Sequence, residues 1–194
     1  MILNETIKLN NGICIPRLAL GTWFIDDDKA ADAVKTAVET GYRHIDTAQA
    51  YGNEHGVGEG VRNASVPRDK IFVTSKVAAE NKSYESASAS VDETLNKMGL
   101  DHIDMMIIHS PQPWKEVNQS ENRYFAENRE VWRAMEDAVS AGKVGTIGVS
   151  NFLKDDLENI MKDCKIKLAV DQVLCHISNT PLELIDYCKK LGLA

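Results

Sequence analysis

Four side chains that could together reduce a carbonyl group follow three successive strand-like segments of the chain. Asp46 lies at the end of the first of these segments and Tyr51 follows about one turn later, Lys76 ends the second, and His109 ends the third. Carbonyl reduction needs hydride at the carbon, a proton for the oxygen, and a donor that polarises the oxygen beforehand. These residue types can supply the proton and the polarising donor, so the sequence predicts an oxidoreductase site.

Tyr51 is the predicted proton donor of this site. A phenol with an unperturbed pKa near ~10 is protonated at neutral pH, but the phenolate left behind needs a nearby positive charge. Lys76 can supply that charge, Asp46 can hold and orient Lys76, and His109 can donate a second hydrogen bond to the substrate oxygen. Each residue alone is more often solvated or structural, but their shared position at strand ends favours one common site.

The elements that must hold these residues alternate between strand and helix. Six apolar runs of strand length are each followed by a helix-like stretch. Runs that are apolar on both faces are typical of a parallel sheet covered by helices, in which the reactive side chains come from the carboxyl ends of the strands. The runs lie at residues 19–22, 43–47, 71–75, 103–108, 144–149 and 168–173.

Two parallel folds are compatible with this alternation, a (β/α) barrel and a doubly wound nucleotide-binding sheet. The second fold carries a GxGxxG fingerprint at its first strand-to-helix turn, which residues 21–24 (GTWF) lack. The glycines of residues 56–60 have the wrong spacing for a phosphate loop and lie in a helix-like stretch. The sequence therefore favours the barrel, preceded by a hairpin with a type I′ turn at Asn11 and Gly12.

The clearest predicted helix lies near the end of the chain. Thr180 is a suitable N-cap, Pro181 suits the first helical position, and Glu183 completes a capping box. Gly192 ends the predicted helix, because glycine readily adopts the left-handed conformation of a C-cap.

The composition argues against several other classes of protein. A formal charge of −7 with scattered Lys and Arg argues against binding to nucleic acid or to anionic membranes. No segment approaches the ~20 apolar residues of a membrane span, and residues 1–20 lack a basic and apolar leader, so we expect a cytoplasmic protein. The 4 cysteines include no CxxC pair and the 5 histidines no HExxH motif, which argues against a disulfide framework or a metal site.

Six segments, which occur in order along nearly the whole chain, resemble the aldo-keto reductase family, and within it enzymes of the 2,5-diketo-gluconate reductase type. The matching segments are GTW at 21–23, GYRHIDTAQAYGNE at 41–54, FVTSKV at 72–77, IIHSPQPW at 107–114, GVSNF at 148–152 and DQV at 171–173. The resemblance implies a (β/α)8 TIM barrel and the nicotinamide cofactor NADPH/NADP.

The resemblance also implies a role for each candidate residue. Asp46, Tyr51, Lys76 and His109 would form a catalytic tetrad with Tyr51 as the general acid in reduction, which agrees with the chemistry argued above. Gly21, Thr22 and Asp46 would lie at the cofactor, with Thr22 and Asp46 near its ribose, while Ser150, Asn151 and Gln172 would hold the carboxamide. Trp23 and Trp114 would wall the substrate pocket together with Tyr51 and His109.

The implied function is NADPH-dependent reduction of small aldehydes, ketones or sugar-derived dicarbonyls to alcohols. The preference for NADP over NAD rests on the resemblance alone. The alternative is a non-catalytic cofactor-binding protein or a truncated remnant of the same family. The complete set of four site residues favours the reductase.

The chain departs from the family in length and at one strand. A closed barrel typically needs ~250 residues, so residues 1–194 are predicted to form one barrel domain, incomplete at the C-terminus, with about six β/α units. An open parallel sheet exposes two strand edges. Asp171 also stands where the family usually has Asn.

Three explanations fit the short length: a fragment left by proteolysis or frameshift, an intermolecular pairing that covers the open edges, or a longer native chain. We favour a fragment of a longer enzyme. The full-length parent is expected to be a monomer whose partner is a small carbonyl substrate. The shorter chain could self-associate and could be inactive alone.

Overall fold

The computed structural model, which describes residues 2–117 and 119–194, begins with a hairpin and continues as six strands that alternate with six helices. Among the described residues, no helix is both long and apolar enough to cross a membrane. The strands are β1 (Thr6–Lys8), β2 (Cys14–Pro16), β3 (Leu20–Gly21), β4 (His44–Asp46), β5 (Phe72–Val77), β6 (Ile103–Ile108), β7 (Val144–Ser150) and β8 (Asp171–Gln172). The helices are α1 (Asp27–Glu39), α2 (Glu54–Arg62), α3 (Tyr84–Met98), α4 (Phe125–Ser140), α5 (Lys154–Met161) and α6 (Leu182–Leu191).

Strands β3 to β8 form one parallel sheet whose spatial order is the order of the sequence. Asp46 pairs with Thr74 of the next strand, and Lys76 pairs with Ile107 of the strand after that. The register therefore brings the carboxyl ends of neighbouring strands to one edge of the sheet, where we expect a barrel-type site. The predicted parallel sheet with helical crossovers and an N-terminal hairpin is confirmed.

The two faces of the sheet pack against different parts of the chain. Side chains on the helix-covered face, such as Met106 and Ile108, belong to the main core together with the helices. Alternate residues such as Met105 and Ile107 point to the other face and form a second cluster with Ile15 of the hairpin. Because successive side chains of a strand point to opposite faces, strands buried on both sides are apolar throughout.

The hairpin differs from the prediction in its turn. The Leu9 N–H donates to the Ile13 carbonyl and the Gly12 N–H donates to the Leu9 carbonyl, which closes a three-residue loop. Gly12 has φ 88°, whereas Asn11 does not have a positive φ, so the type I′ turn is wrong and the loop is a type I turn followed by a left-handed glycine. This geometry lets the Asn11 amide donate to the Thr146 hydroxyl at 2.7 Å in the sheet.

The glycine-rich segment that resembles a phosphate loop is helix α2, as its helical pattern predicts. A side chain at Gly56 would collide with the Asp27 carbonyl, and one at Gly58 would collide with the backbone of Met98. A Cβ at Gly60 would lie 2.7 Å from the Cβ of Val34. These glycines therefore allow α2 to pack closely between α1 and α3.

Helix α6 begins one residue later than the capping box predicts. Pro181 is the residue that precedes the helix, and no side chain caps its first turn. The Thr180 hydroxyl donates to the His176 carbonyl at 3.1 Å and is not used as a cap. The local turn at residues 176–180 competes for the hydroxyl, so the predicted capping box is wrong, while the end at Gly192 is confirmed with φ 73°.

Candidate active site

The four residues of the predicted tetrad lie together at the carboxyl end of the sheet. Asp46 is the last residue of β4, Lys76 is the penultimate residue of β5, and His109 directly follows β6. Tyr51 ends a single 3-10 turn, Gln49–Tyr51, that follows β4. The spacing of these residues in the sequence therefore predicted their meeting, because each comes from a neighbouring strand.

Asp46 and Lys76 form a buried ion pair. The Lys76 ammonium is 1% exposed and donates to the Asp46 carboxylate and, at 2.8 Å, to the Thr47 carbonyl. The Gln172 amide donates to the other Asp46 oxygen at 2.9 Å. Burial lowers the pKa of the Lys76 ammonium, and the Asp46 charge opposes that shift. The carboxylate thus fixes the position of the ammonium, as predicted.

Tyr51 lies above this ion pair. The Lys76 ammonium is 5.2 Å from the centroid of the Tyr51 ring. Burial, with a contribution from the Asp46 charge, raises the pKa of Tyr51 to about 12. The Asp46 carboxylate compensates the ammonium, so in this arrangement the phenol keeps its proton throughout the neutral range.

His109 lies beside Tyr51 with its ring turned edge-on, at a centroid distance of 5.5 Å. Burial and the Lys76 charge lower the pKa of His109 to about 4. Its Nδ1 is buried and has no hydrogen-bond partner in residues 2–117 and 119–194. The Asn151 amide donates to the His109 carbonyl at 3.0 Å and ties the ends of β6 and β7 together. The imidazole is therefore neutral at pH 7 and carries one N–H that can be donated.

A cavity of about 660 Å³ opens at this end of the sheet. Seven of the predicted site residues line it, whereas Gly21, Thr22, Asp46 and Lys76 do not. Three further lining residues, Ala50, Val173 and Leu174, were not predicted, although each stands next to a predicted residue or strand end. The predicted residues on the cavity wall are Trp23, Tyr51, His109, Trp114, Ser150, Asn151 and Gln172.

The wall formed by Ser150, Asn151 and Gln172 is suited to a primary amide. The Ser150 hydroxyl donates to the Gln172 carbonyl at 2.8 Å, and the Asn151 amide donates to the Ser150 oxygen at 3.0 Å. Within the described residues, the side-chain carbonyl oxygens of Asn151 and Gln172 accept no hydrogen bond. Two unoccupied acceptors on one cavity wall match the two N–H groups of a carboxamide.

Thr22 and Gly21 do not line the cavity and lie next to Asp46. Thr22 is fully buried, and both its backbone N–H and its hydroxyl donate to the Asp46 carbonyl, at 3.0 and 3.2 Å. Gly21 is exposed at the end of β3. The structure therefore brings these two residues next to Asp46, and their contact with a cofactor stays a prediction.

Asn53 positions two loops of the site and was not singled out from the sequence. Its side-chain N–H groups donate to the carbonyls of Thr22, at 2.8 Å, and Ile25, at 2.9 Å. Its side-chain oxygen accepts from the Thr47 hydroxyl at 2.8 Å. Asn53 is 1% exposed and joins the turn that carries Trp23 to the loop that carries Tyr51. Asparagine is common in turns, so its residue type alone does not indicate this role.

The long loop between β6 and α4, which carries Trp114, is held by a second group of side chains that were not predicted from the sequence. The Arg123 guanidinium donates to both oxygens of the Asp156 carboxylate and, at 3.1 Å, to the Gln112 side-chain oxygen. The Gln112 amide in turn donates to the Ser120 carbonyl at 2.8 Å. A bidentate arginine–carboxylate pair fixes orientation as well as distance, so this loop is anchored to α5.

Comparison with known proteins matches the chain to one family. The model of the "Aldo/keto reductase family" matches residues 17–194. The glyoxal reductase of Bacillus subtilis is 40% identical over 192 residues, which cover 98% of this chain and 65% of that protein.

Solved structures match in the same way. An aldo/keto reductase from Brucella melitensis is 37% identical with a TM-score of 0.89, and the match covers 98% of this chain and 70% of that one. A Bombyx mori aldo-keto reductase in complex with NADP is 35% identical with a TM-score of 0.86, covering 98% and 64%. The chain spans less than two thirds of the length of curated relatives that it matches, 65% and 62% for two of them.

Proposed function

The chain belongs to the aldo/keto reductase family, and on that premise we propose that it reduces the carbonyl group of small aldehydes, ketones or sugar-derived dicarbonyls to an alcohol, with NADPH as the reductant. One observation carries the proposal. The Tyr51 phenol and the neutral His109 imidazole line the same cavity, next to the buried Asp46–Lys76 ion pair. The likeness to glyoxal reductase supports the substrate class.

In the proposed reaction, Tyr51 gives its proton to the carbonyl oxygen. With a pKa of about 12, the phenol releases the proton only when negative charge develops on that oxygen. His109 donates a hydrogen bond to the same oxygen and polarises the carbonyl beforehand. The phenolate left behind faces the Lys76 ammonium, which Asp46 and the Thr47 carbonyl hold in place. Reprotonation of the phenolate from solvent then completes the cycle.

The residues suited to a nicotinamide cofactor are those with free acceptors on the cavity wall. Asn151 and Gln172 would accept from the carboxamide N–H groups, with Ser150 between them, while Gly21, Thr22 and Asp46 would border the ribose. When bound, the reduced cofactor supplies the hydride. The relative whose structure contains NADP supports NADP as the cofactor, and the preference over NAD is part of the proposal.

The test is NADPH oxidation, followed by absorbance, with methylglyoxal as substrate and with the variant Tyr51→Phe. Because the variant removes only the proton donor, kcat is expected to fall by ~10²–10⁴. Tyr84→Phe is the matched control, since Tyr84 is on helix α3 and its hydroxyl donates to Asp137 outside the cavity.

A change below tenfold for Tyr51→Phe would refute its role as general acid. Binding of NADPH without turnover of any carbonyl compound would favour the non-catalytic alternative.

A further inference from the structure

The turn that carries Trp23 contains a strained residue, Phe24. Its φ of 63° lies in the left-handed region, where within the described chain only two other non-glycine residues are found. A bulky side chain is rare in this region, because the Cβ atom crowds the backbone. Such strain persists where the surrounding structure imposes it, and it is frequent at functional sites.

The backbone around Phe24 explains how the strain is imposed. The Ile25 N–H donates to the Thr22 carbonyl at 3.0 Å, which makes Phe24 the third residue of a tight turn. A turn with positive φ only at this position is of type II, and glycine is the residue that it favours there. The Asn53 amide clamps the turn by donating to both the Thr22 and the Ile25 carbonyls. The turn would therefore form without strain if glycine replaced Phe24.

The conformation brings two neighbouring rings onto the same side of the chain. The rings of Trp23 and Phe24 are stacked, with centroids 4.3 Å apart and an interplanar angle of 23°. The Trp23 ring also stacks with the Tyr51 ring, at a centroid distance of 6.3 Å and an angle of 25°. Phe24 is 86% exposed, so burial of its own side chain does not explain its presence.

Trp23 itself needs support from a neighbour. It lines the cavity and yet is 64% exposed, so little else holds the plane of its indole. Its lining neighbours include the apolar side chains of Trp114, Val173 and Leu174, and no described residue on the wall is a lysine or an arginine. A wall of this composition favours a flat, apolar and uncharged substituent next to the carbonyl group.

We propose that Phe24 is a positioning residue, whose ring stacks on Trp23 and holds the indole nearly parallel to the Tyr51 ring. Together, Trp23 and Phe24 select carbonyl compounds with a flat apolar substituent, such as aryl aldehydes. The selectivity rests on the proposed reductase function. An indole that is already ordered loses less conformational entropy when a substrate packs against it. An aromatic pair is worth enough to change kcat/KM by roughly 2- to 10-fold.

The activity test compares kcat/KM for benzaldehyde with kcat/KM for methylglyoxal. Phe24→Leu keeps the Cβ atom and loses the ring, and it is expected to lower the benzaldehyde-to-methylglyoxal ratio by about 3- to 10-fold, mainly through KM. Phe24→Tyr keeps the ring and should stay within about twofold of the parent ratio. Phe125→Leu is the matched control, because Phe125 is an exposed aromatic residue that does not line the cavity. An unchanged ratio for Phe24→Leu overturns the selectivity.

A second measurement requires no turnover. Trp23 is the most exposed of the three tryptophans, at 64% against 40% for Trp114 and 2% for Trp132, so acrylamide quenching of fluorescence reports mainly on Trp23. Phe24→Leu is expected to raise the quenching constant, and an equal constant overturns the positioning role. A chain inactive with both aldehydes overturns the proposed function and the selectivity, and the quenching result then decides the positioning role separately.

A third measurement separates positioning from a structural role. Phe24→Gly removes the ring and the strain together and is expected to leave Tm unchanged or higher. A fall in Tm of several degrees would show that Phe24 stabilises the fold, and it would overturn the proposal.

Discussion

Replacing Asp171 by asparagine is expected to stabilise the folded chain above neutral pH and to remove a pH dependence of its stability. Asp171 begins β8 and is 8% exposed. Its Oδ1 has no hydrogen-bond partner among the described residues, and its Oδ2 accepts a long hydrogen bond from the Cys188 thiol at 3.9 Å. Burial raises the pKa of Asp171 to about 7, although hydrogen bonding from the Phe152 backbone and the Cys188 thiol partly opposes the shift.

The sign of the effect follows from proton binding. The folded chain holds the Asp171 proton up to about pH 7, whereas an unfolded chain loses it near the ordinary pKa of 3.8. The free energy of unfolding therefore falls as the pH rises through this interval and is lowest above pH 8. With about 1.36 kcal/mol for each pKa unit, the ionised carboxylate costs on the order of 4 kcal/mol at high pH. For a chain of this size that is roughly 8–16 °C in Tm.

Asparagine is the matched replacement, because its side-chain oxygen can accept the same hydrogen bonds without a charge. The assay is urea unfolding, followed by tryptophan fluorescence, of the parent and Asp171→Asn at pH 5.0, 6.5 and 8.5. The stability difference between the two proteins should grow from about 1.6 kcal/mol at pH 5.0, where the unfolded chain has already lost the proton, to about 4 kcal/mol at pH 8.5. The exposed Asp101→Asn serves as the control for removal of an acidic charge. Parallel pH dependence in the parent and Asp171→Asn would refute the reasoning.

Three further predictions concern the site and the packing that supports it. Because burial and Lys76 lower the pKa of His109 to about 4, kcat/KM for methylglyoxal should show no titration between pH 6 and 8 from this ring, and a histidine midpoint near 6.5 would contradict its neutral state. Lys76→Met leaves the buried Asp46 carboxylate unpaired and should cost ~3–5 kcal/mol in urea unfolding, with a smaller loss when Asp46→Asn is added. Gly58→Ala forces a Cβ into the backbone of Met98 and should lower stability by more than ~2 kcal/mol by the same assay, and a neutral effect would show that α2 and α3 can separate freely.

Residue spacing was sufficient to predict which side chains meet at the site. Asp46, Lys76 and His109 stand at the ends of three strands that pair in sequence order, so the alternation of strand and helix already places them at one edge. That residues 56–60 are helical was predictable for the same reason, since they lie in a helix-like pattern and their glycines have the wrong spacing for a phosphate loop. These features depend on periodicity, which a sequence displays directly.

The features that the sequence did not predict depend on backbone conformation and on long-range hydrogen bonds. The predicted type I′ turn at Asn11 and Gly12 was wrong because the Asn11 side chain donates a hydrogen bond to Thr146, 135 residues away. The predicted start of α6 was wrong because the Thr180 hydroxyl donates to the His176 carbonyl and does not cap the helix. A polar side chain that can cap a helix can also bond elsewhere, and its type does not reveal which partner it has.

The strained residues of this chain show the same limit at the site itself. Within the described chain, the three non-glycine residues with positive φ are Phe24, Tyr124 and Asn151, and each lies on a loop that follows a strand at the carboxyl end of the sheet. The residue types Phe and Tyr do not predict a left-handed conformation, and Asn predicts it only weakly. Two of these residues, Phe24 and Tyr124, lie on loops that are held by the side chains of Asn53 and Arg123. The ends of the strands determine which side chains reach the cavity, whereas the loops held by Asn53 and Arg123 determine where Trp23 and Trp114 lie relative to those side chains.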